Sequence, residues 1–159
     1  MTTTQHEYET RLSWPVSSDA GSTGGGVRGY SRDHEVTVPG VEGSLAMTAD
    51  PAFRGDASRL NPEQMLVAAA SSCQMLSFLG AAARAGVDVV GYADTAASRL
   101  LLQEAPARLD TLRLDITVQV AAGTEEGVVQ DLARQAHEQC FIANSLAIPV
   151  ELTVTVDPV

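Results

Sequence analysis

Lysine is absent from this chain. Its ten basic residues are all arginine, which removes Schiff-base chemistry and the lysine of a phosphate-binding loop from consideration. Positive charge is scarce altogether: ten basic residues face twenty acidic ones, for a net charge of −10. Such a surface repels phosphate backbones, so no nucleic-acid partner is expected. Cysteine is nearly absent. The two thiols, Cys73 and Cys140, lie 67 positions apart. Neither belongs to a CxxC pair or to a His/Cys group at zinc spacing. Aromatics are few, at 4%, while Ala, Val and Leu abound, a composition suited to close-packed helices and β-branched strands. Met1 to Arg11 is polar and charged, with no apolar core of a secretory leader. A cytoplasmic, reducing setting is therefore expected, with the thiols free or only transiently paired.

A chain of 159 residues, 45% of them apolar, is long enough to bury a core as a single domain over residues 1–159 without staples. Its first third reads as β: His6–Trp14 ending at Pro15, His34–Val38 ending at a Pro39-Gly40 turn, then Ser44–Ala49. A flexible Gly/Ser loop, Ser17–Gly29, lies between the first two strands. Two long strands are expected at Val89–Gln103 and Leu109–Ala122. The second alternates well, with Leu112, Leu114, Ile116, Val118 and Val120 on one face and Arg113, Asp115, Thr117 and Gln119 on the other. A helix from Thr124 carries Val128, Val129, Leu132, Ala133 and Ala136 and reaches Cys140; Val150–Val156 forms the last strand. The order βββ-α-ββ-α-β describes an α+β protein with antiparallel sheets around two long helices.

The first helix is the best marked. Asn61 is a good N-cap, Pro62 suits the first helical position, Glu63 favours the positive end, and Gln64 completes a capping box. The helix can run to Ala85, with Gly86 as its stop. Gln64 to Ala83 carries no charge for 20 residues, long enough to span a bilayer. Its Ser and Gln residues, its Ala content and its cap instead suggest a helix enclosed in a core or an interface, and no membrane is expected. Cys73 lies mid-helix among Ala and Ser. On composition alone, both cysteines read as small buried side chains.

A longer pattern changes that reading. Asn61-Pro62-Glu63-Gln64 followed by Cys73 resembles the helix of the OsmC/Ohr family that carries its first cysteine. His137 to Ser145 (HEQCFIANS) resembles that family's second-cysteine segment, and Ala49 to Asp56 (ADPAFRGD) resembles a loop of the OsmC-like subgroup. The three occur in the right order, and the likeness runs from about His6 to Val156. The resemblance implies a peroxidatic Cys73, a resolving Cys140, an active-site Glu63 and an active-site arginine matched by Arg32, with Arg54 as the rival. It further implies an intertwined homodimer with both sites at the subunit interface. The electrons would come from an external dithiol, commonly lipoyl groups on partner proteins, with no bound cofactor or metal.

Elementary chemistry agrees with those roles. A thiolate attacks peroxide, and a free Cys titrates near ~8.5, so activation needs a cation or donors. Cys73 is too deep in its helix for the N-terminal amides, and arginine is the only permanent cation on offer. An Arg fork held by Glu could bond thiolate and peroxide together. The sulfenic acid left on Cys73 can condense with Cys140. Glu63 and Cys73 are ten residues, or ~15 Å, apart on an ideal helix, so Glu63 of the other subunit would serve. Phe53, Met75, Leu76 and Phe141 are candidate substrate contacts, beside Arg54. With Phe78 and Leu79 they suggest an apolar pocket that favours alkyl or lipid hydroperoxides. One position departs from the subgroup, where a His often follows the first cysteine; Gln74 stands there and cannot relay protons by titrating. A non-catalytic small-ligand binder, a redox sensor, and a metal site built on His137 and Cys140 are the competing readings.

Overall fold

The computed structural model describes residues 5–159, which fall into two compact units, Met1–Met65 and Leu66–Val159. The first unit is built on a three-stranded antiparallel sheet in the order β1 (Arg11–Ser13), β2 (His34–Thr37), β3 (Leu45–Met47). Leu12 faces Val36, and Val36 in turn faces Leu45. The first strand is shorter than the sequence suggests: only Arg11–Ser13 pairs, and Pro15 has no N–H to extend the ladder. The glycine-rich loop folds as two short turns, Ser18–Ala20 and Thr23–Gly25. It is pinned where Ser31 N donates to Ala20 O at 2.7 Å.

Helix α1 (Pro62–Ala85) begins in the last residues of this unit. Its capping box is reciprocal: Gln64 N donates to Asn61 Oδ1 at 2.8 Å, and Asn61 N donates to Gln64 Oε1 at 3.1 Å, satisfying two otherwise unpaired donors. The helix stops at Gly86, whose φ of 72° is the left-handed conformation that glycine adopts without strain. Val87 N donates to Ala82 O and Gly86 N to Ala83 O, the paired closure of a Schellman turn.

The second unit holds the larger sheet, ordered β4 (Val89–Ala97), β7 (Leu112–Val120), β8 (Val150–Pro158). The two long strands expected before and after Pro106 are each broken, so a separate hairpin, β5 (Leu100–Leu101) with β6 (Arg108–Leu109), extends beyond the sheet. Arg99 and Asp110 mark the break, ion-paired at 2.8 Å. The expectation of purely antiparallel sheets is corrected: β4 and β7 are antiparallel, but β8 runs parallel to β7, with Leu112 opposite Val150 and Val118 opposite Val156. The reason is the helix between them. A helical crossover returns the chain to the end from which the strand started.

The alternation in β7 is complete. Leu112, Leu114, Ile116, Val118 and Val120 are all buried, at most 2% exposed. With Ala70, Phe78 and Ala82 of α1 and Val129, Leu132, Ala133 and Ala136 of α2 (Glu126–Glu138), they form one core. Burying Phe78 alone contributes roughly 1.5–3 kcal/mol. Val128, read as a core position, is exposed instead; the apolar stripe of α2 is centred on Val129 and Ala133. Helix α1 is not enclosed within the chain. Ala70, Gln74, Phe78 and Ala82 are its buried residues, a single stripe at four-residue spacing. One helix of the described residues, α1, has the length and apolarity to cross a membrane.

Candidate active site

Cys73 is clamped in place from two sides. Two positions before it, Ser71 Oγ donates to both oxygens of Asp94 on β4, at 2.8 and 2.9 Å. One position after it, Gln74 turns inward, fully buried, and its Nε2 donates to Ala133 O on α2 at 3.1 Å. Gln74 therefore braces α1 against α2. The doubt about a proton relay at that position has a geometric answer, because this side chain engages α2. Tyr92 adds to the first clamp, its hydroxyl reaching Asp94 at 3.3 Å. Burial, and then the Asp94 charge, push that hydroxyl above the usual tyrosine range, so it stays a donor.

Cys140 lies two residues beyond the end of α2 rather than on it. The chain there makes a tight turn held by its own side chains. Asn144 Nδ2 donates to Glu138 O at 2.9 Å and Ser145 Oγ to Phe141 O at 2.7 Å. This turn carries Cys140 to Cys73 and aims backbone donors at the pair. Burial pushes the Cys73 thiol up. The Ile142 N–H, the Cys140 thiol, the Phe141 N–H and the Ser77 hydroxyl outweigh it, so Cys73 ends below the ordinary cysteine range. Cys140 moves the other way. Burial and its donation to Cys73 push it up, although Ala143 N, at 3.5 Å, donates to its sulfur. The two thiols are thus polarised, Cys73 toward thiolate and Cys140 toward thiol. That is the arrangement in which one sulfur attacks and its neighbour waits protonated.

The sequence excludes the amides of the α1 N-terminus and offers arginine as the activator; the amide donors come instead from the Cys140 turn. The signal was present in Asn144 and Ser145, whose short polar side chains bond to nearby backbone and favour a turn. Successive N–H groups in such a turn form an anion-binding concavity.

The remaining candidate residues divide between the two units. A cavity of about 820 Å³ opens on Cys73 and is lined by Leu76, Phe141, Ile142 and Arg84 among others. Leu76 and Phe141 are 63% and 81% exposed. Met75, proposed for the same pocket, is not among its lining residues. In the first unit, a cavity of about 390 Å³ brings together Arg32, Glu63 and Phe53 with Trp14 and Tyr30. Arg32 is held there by backbone: Nη1 donates to Tyr30 O at 2.5 Å and Nη2 to Val27 O at 2.6 Å. Its guanidinium carbon sits 3.8 Å from the centre of the Tyr30 ring. Carbonyls and an aromatic face, rather than Glu63, fix the fork. Trp14 meets Tyr30 edge-on at 5.8 Å and donates Nε1 to Ser31 O at 2.8 Å. Arg54 is outside this cavity. It closes the turn Pro51–Phe53 in the left-handed conformation, φ 71°, with its N–H on Pro51 O. His137 and Cys140 gain no third ligand: no group of three or more His, Cys, Asp or Glu able to hold a metal ion occurs among the described residues.

A two-helix α+β fold with a polarised cysteine pair where its central helix meets a turn defines a class of thiol proteins. Comparison with known proteins makes the class specific. The sequence model of the family described as OsmC-like protein matches residues 55–155. Among solved structures, an OsmC-like protein of unknown function from Vibrio cholerae is similar, with a TM-score of 0.83 at 27% identity over 95% of this chain and 100% of that one. An organic hydroperoxide resistance protein from Elizabethkingia anophelis shares the fold, with a TM-score of 0.71 at 18% identity over 99% of each chain. An organic hydroperoxide resistance protein OsmC from Legionella pneumophila does so with a TM-score of 0.65 at 16% identity over 96% of this chain and 99% of that one. No curated protein matches. The chain belongs to the OsmC-like family.

Proposed function

We propose that this protein reduces organic hydroperoxides with Cys73 and resolves the product with Cys140. The observation that carries the reading is the polarised pair: donors from Ile142, Phe141 and Cys140 lower Cys73 while Cys140 is held up. The Cys73 thiolate attacks the terminal peroxide oxygen and the O–O bond breaks. An alkoxide leaves and takes a proton to become the alcohol, and Cys73 becomes a sulfenic acid. The Cys140 thiol then displaces hydroxide from that sulfur; with the thiol proton this leaves as water and a Cys73–Cys140 disulfide forms. An external dithiol, such as a lipoyl group, reduces the disulfide and is itself oxidised to a cyclic disulfide. No bound cofactor enters the cycle, and a cytoplasmic location would supply the reductant.

The apolar lining around Cys73 favours alkyl or lipid hydroperoxides over hydrogen peroxide. Arg32 and Glu63 join the reaction in a homodimer, where one chain supplies the Arg32 cavity and its partner the Cys73 cavity. Two features support the dimer: the unburied faces of the uncharged stretch Gln64–Ala83 of α1 and the exposed Leu76 and Phe141. In that arrangement the Arg32 fork, preset by Tyr30 and Val27, stabilises the departing alkoxide.

The test is turnover of cumene hydroperoxide against hydrogen peroxide with dihydrolipoamide as donor. Wild type consumes the organic peroxide faster, and Cys73→Ser consumes neither while keeping its native circular dichroism. Retained turnover in that variant overturns the mechanism.

A further inference from the structure

When the O–O bond breaks, the departing alkoxide must collect a proton. Arg32 can stabilise that charge but cannot supply the proton, because a guanidinium stays protonated in proteins, and the chain has no lysine. Histidine is the side chain that gives and takes a proton near neutral pH. His34 lines the same cavity as Arg32 and is the one histidine among its lining residues. It stands at the first position of β2, half-buried, and faces Met47 across the ladder. The sheet therefore sets its backbone.

The ring is set as well. Its Nδ1 lies 2.9 Å from Arg32 O. A carbonyl only accepts, so Nδ1 carries a hydrogen whether the ring is neutral or charged, and the exchangeable proton belongs to Nε2. Nε2 has no protein partner among the described residues, and it is not shut away from solvent. The carboxylates of the cavity are placed for other work. Asp50 accepts Ala52 N at 2.7 Å, and Glu63 sits in the first turn of α1, where the helix end favours an anion. Arg32 thus lines the cavity with its fork and, through its own carbonyl, orients the ring of His34.

We propose that His34 is the general acid of the peroxide step, its Nε2–H protonating the alkoxide while Arg32 holds the developing charge. The inference rests on the peroxidase reading, in which the homodimer brings this cavity to Cys73, and names the source of the proton in that reaction. The thiolate forms the S–O bond, the terminal oxygen keeps its own hydrogen, and the O–O bond breaks. The Nε2 proton passes to the alkoxide oxygen, leaving a sulfenic acid, an alcohol and a neutral imidazole. Through solvent, the imidazole regains the proton that Cys73 releases when it ionises. Peroxides with strongly basic leaving groups should therefore depend on His34, and those that expel a stable anion should not.

Single-turnover oxidation of the reduced protein, with no reductant present, isolates the peroxide step. tert-Butyl hydroperoxide expels a strongly basic alkoxide that needs the proton, whereas peracetic acid expels acetate, which does not. His34→Asn keeps an N–H for Arg32 O and removes the exchangeable nitrogen. It should slow oxidation by tert-butyl hydroperoxide about 100-fold, the lower end for a general acid, and oxidation by peracetic acid no more than about twofold. In His34→Ala, imidazole added to the buffer should restore much of the rate with tert-butyl hydroperoxide. Wild-type speed with tert-butyl hydroperoxide in His34→Asn, equal slowing with both peroxides, or no rescue by imidazole overturns the proposal. Wild type provides a test free of any variant: a solvent deuterium isotope effect is expected with tert-butyl hydroperoxide and not with peracetic acid, and its absence with the former also overturns the proposal. Failure of the peroxidase reading looks different. Neither peroxide would then oxidise Cys73 of wild type faster than cysteine in solution, and the acid would fall with that reading.

Discussion

The proposed mechanism gives Cys140 two separable roles, as the thiol that closes the disulfide and as a donor that holds Cys73 toward thiolate. Cys140→Ala removes both, whereas Cys140→Ser removes the sulfur and keeps a donor at the same place. A hydrogen bond to a charged group is worth about 1.5–3 kcal/mol. A thiol is a weak donor and Cys73 is only partly buried, where solvent screens the charge, so the lower end, about 1.5 kcal/mol, applies. That corresponds to about tenfold in thiolate fraction below the titration range. The sign follows from direction: Cys73 is lowered by its donors, so losing one displaces its titration toward higher pH. Alkylation by iodoacetamide, mapped to Cys73 by mass spectrometry across a pH series, reads this directly. Cys140→Ala should react about tenfold more slowly than wild type at low pH and converge with it at high pH, where every form is thiolate. Cys140→Ser should stay within about twofold of wild type throughout, because its hydroxyl replaces the lost donor. Both variants should stop at a Cys73 sulfenic acid after one equivalent of peroxide and over-oxidise with more. Superimposable curves for Cys140→Ala and wild type would refute the donor role. A shared displacement of both variants would assign the effect to altered packing.

Two other outcomes are expected. Arg32→Ala should lower peroxidase turnover at least ~tenfold, about 1.4 kcal/mol of transition-state stabilisation, whereas Arg54→Ala should act on substrate preference or loop order; the reverse ranking in steady-state assays would exchange their roles. Sedimentation equilibrium at micromolar concentration should give a dimer, and a monomer would leave the uncharged stretch Gln64–Ala83 of α1 without the partner argued for it.

The most legible parts of the sequence were those governed by local rules. Asn61 and Gln64 bond as their spacing requires, Gly86 ends the helix where its freedom is needed, and β7 buries the residues that its two-residue period selects. Local rules fail where a partner strand decides. His6–Trp14 has strand character along its length but pairs only at Arg11–Ser13, opposite three residues of β2, Glu35 to Thr37, and β8 reads the same whether parallel or antiparallel. Val128 shows the same limit within a helix, since a neighbouring Val129 carries an equal apolar signal and only the packed core chooses between them. At the site, the cysteine pair was legible through family resemblance, but its activation was not. Backbone amides have no letter in a sequence, so the Ile142 and Phe141 donors could be approached only through the turn-forming Asn144 and Ser145.

The parallel pairing of β7 with β8 has one more consequence. Because the strands run the same way, the chain between them must cross over through α2, and the Cys140 turn rides on that crossover. A Cys73–Cys140 bond would therefore tie the central helix to the connection that returns the chain to the sheet, closing a loop of 67 positions. Cross-linking a loop of that size removes about 4 kcal/mol of chain entropy from the unfolded state. In the proposed cycle each encounter with peroxide would leave the fold harder to unravel until a dithiol arrives, so heat resistance and redox state would rise and fall together.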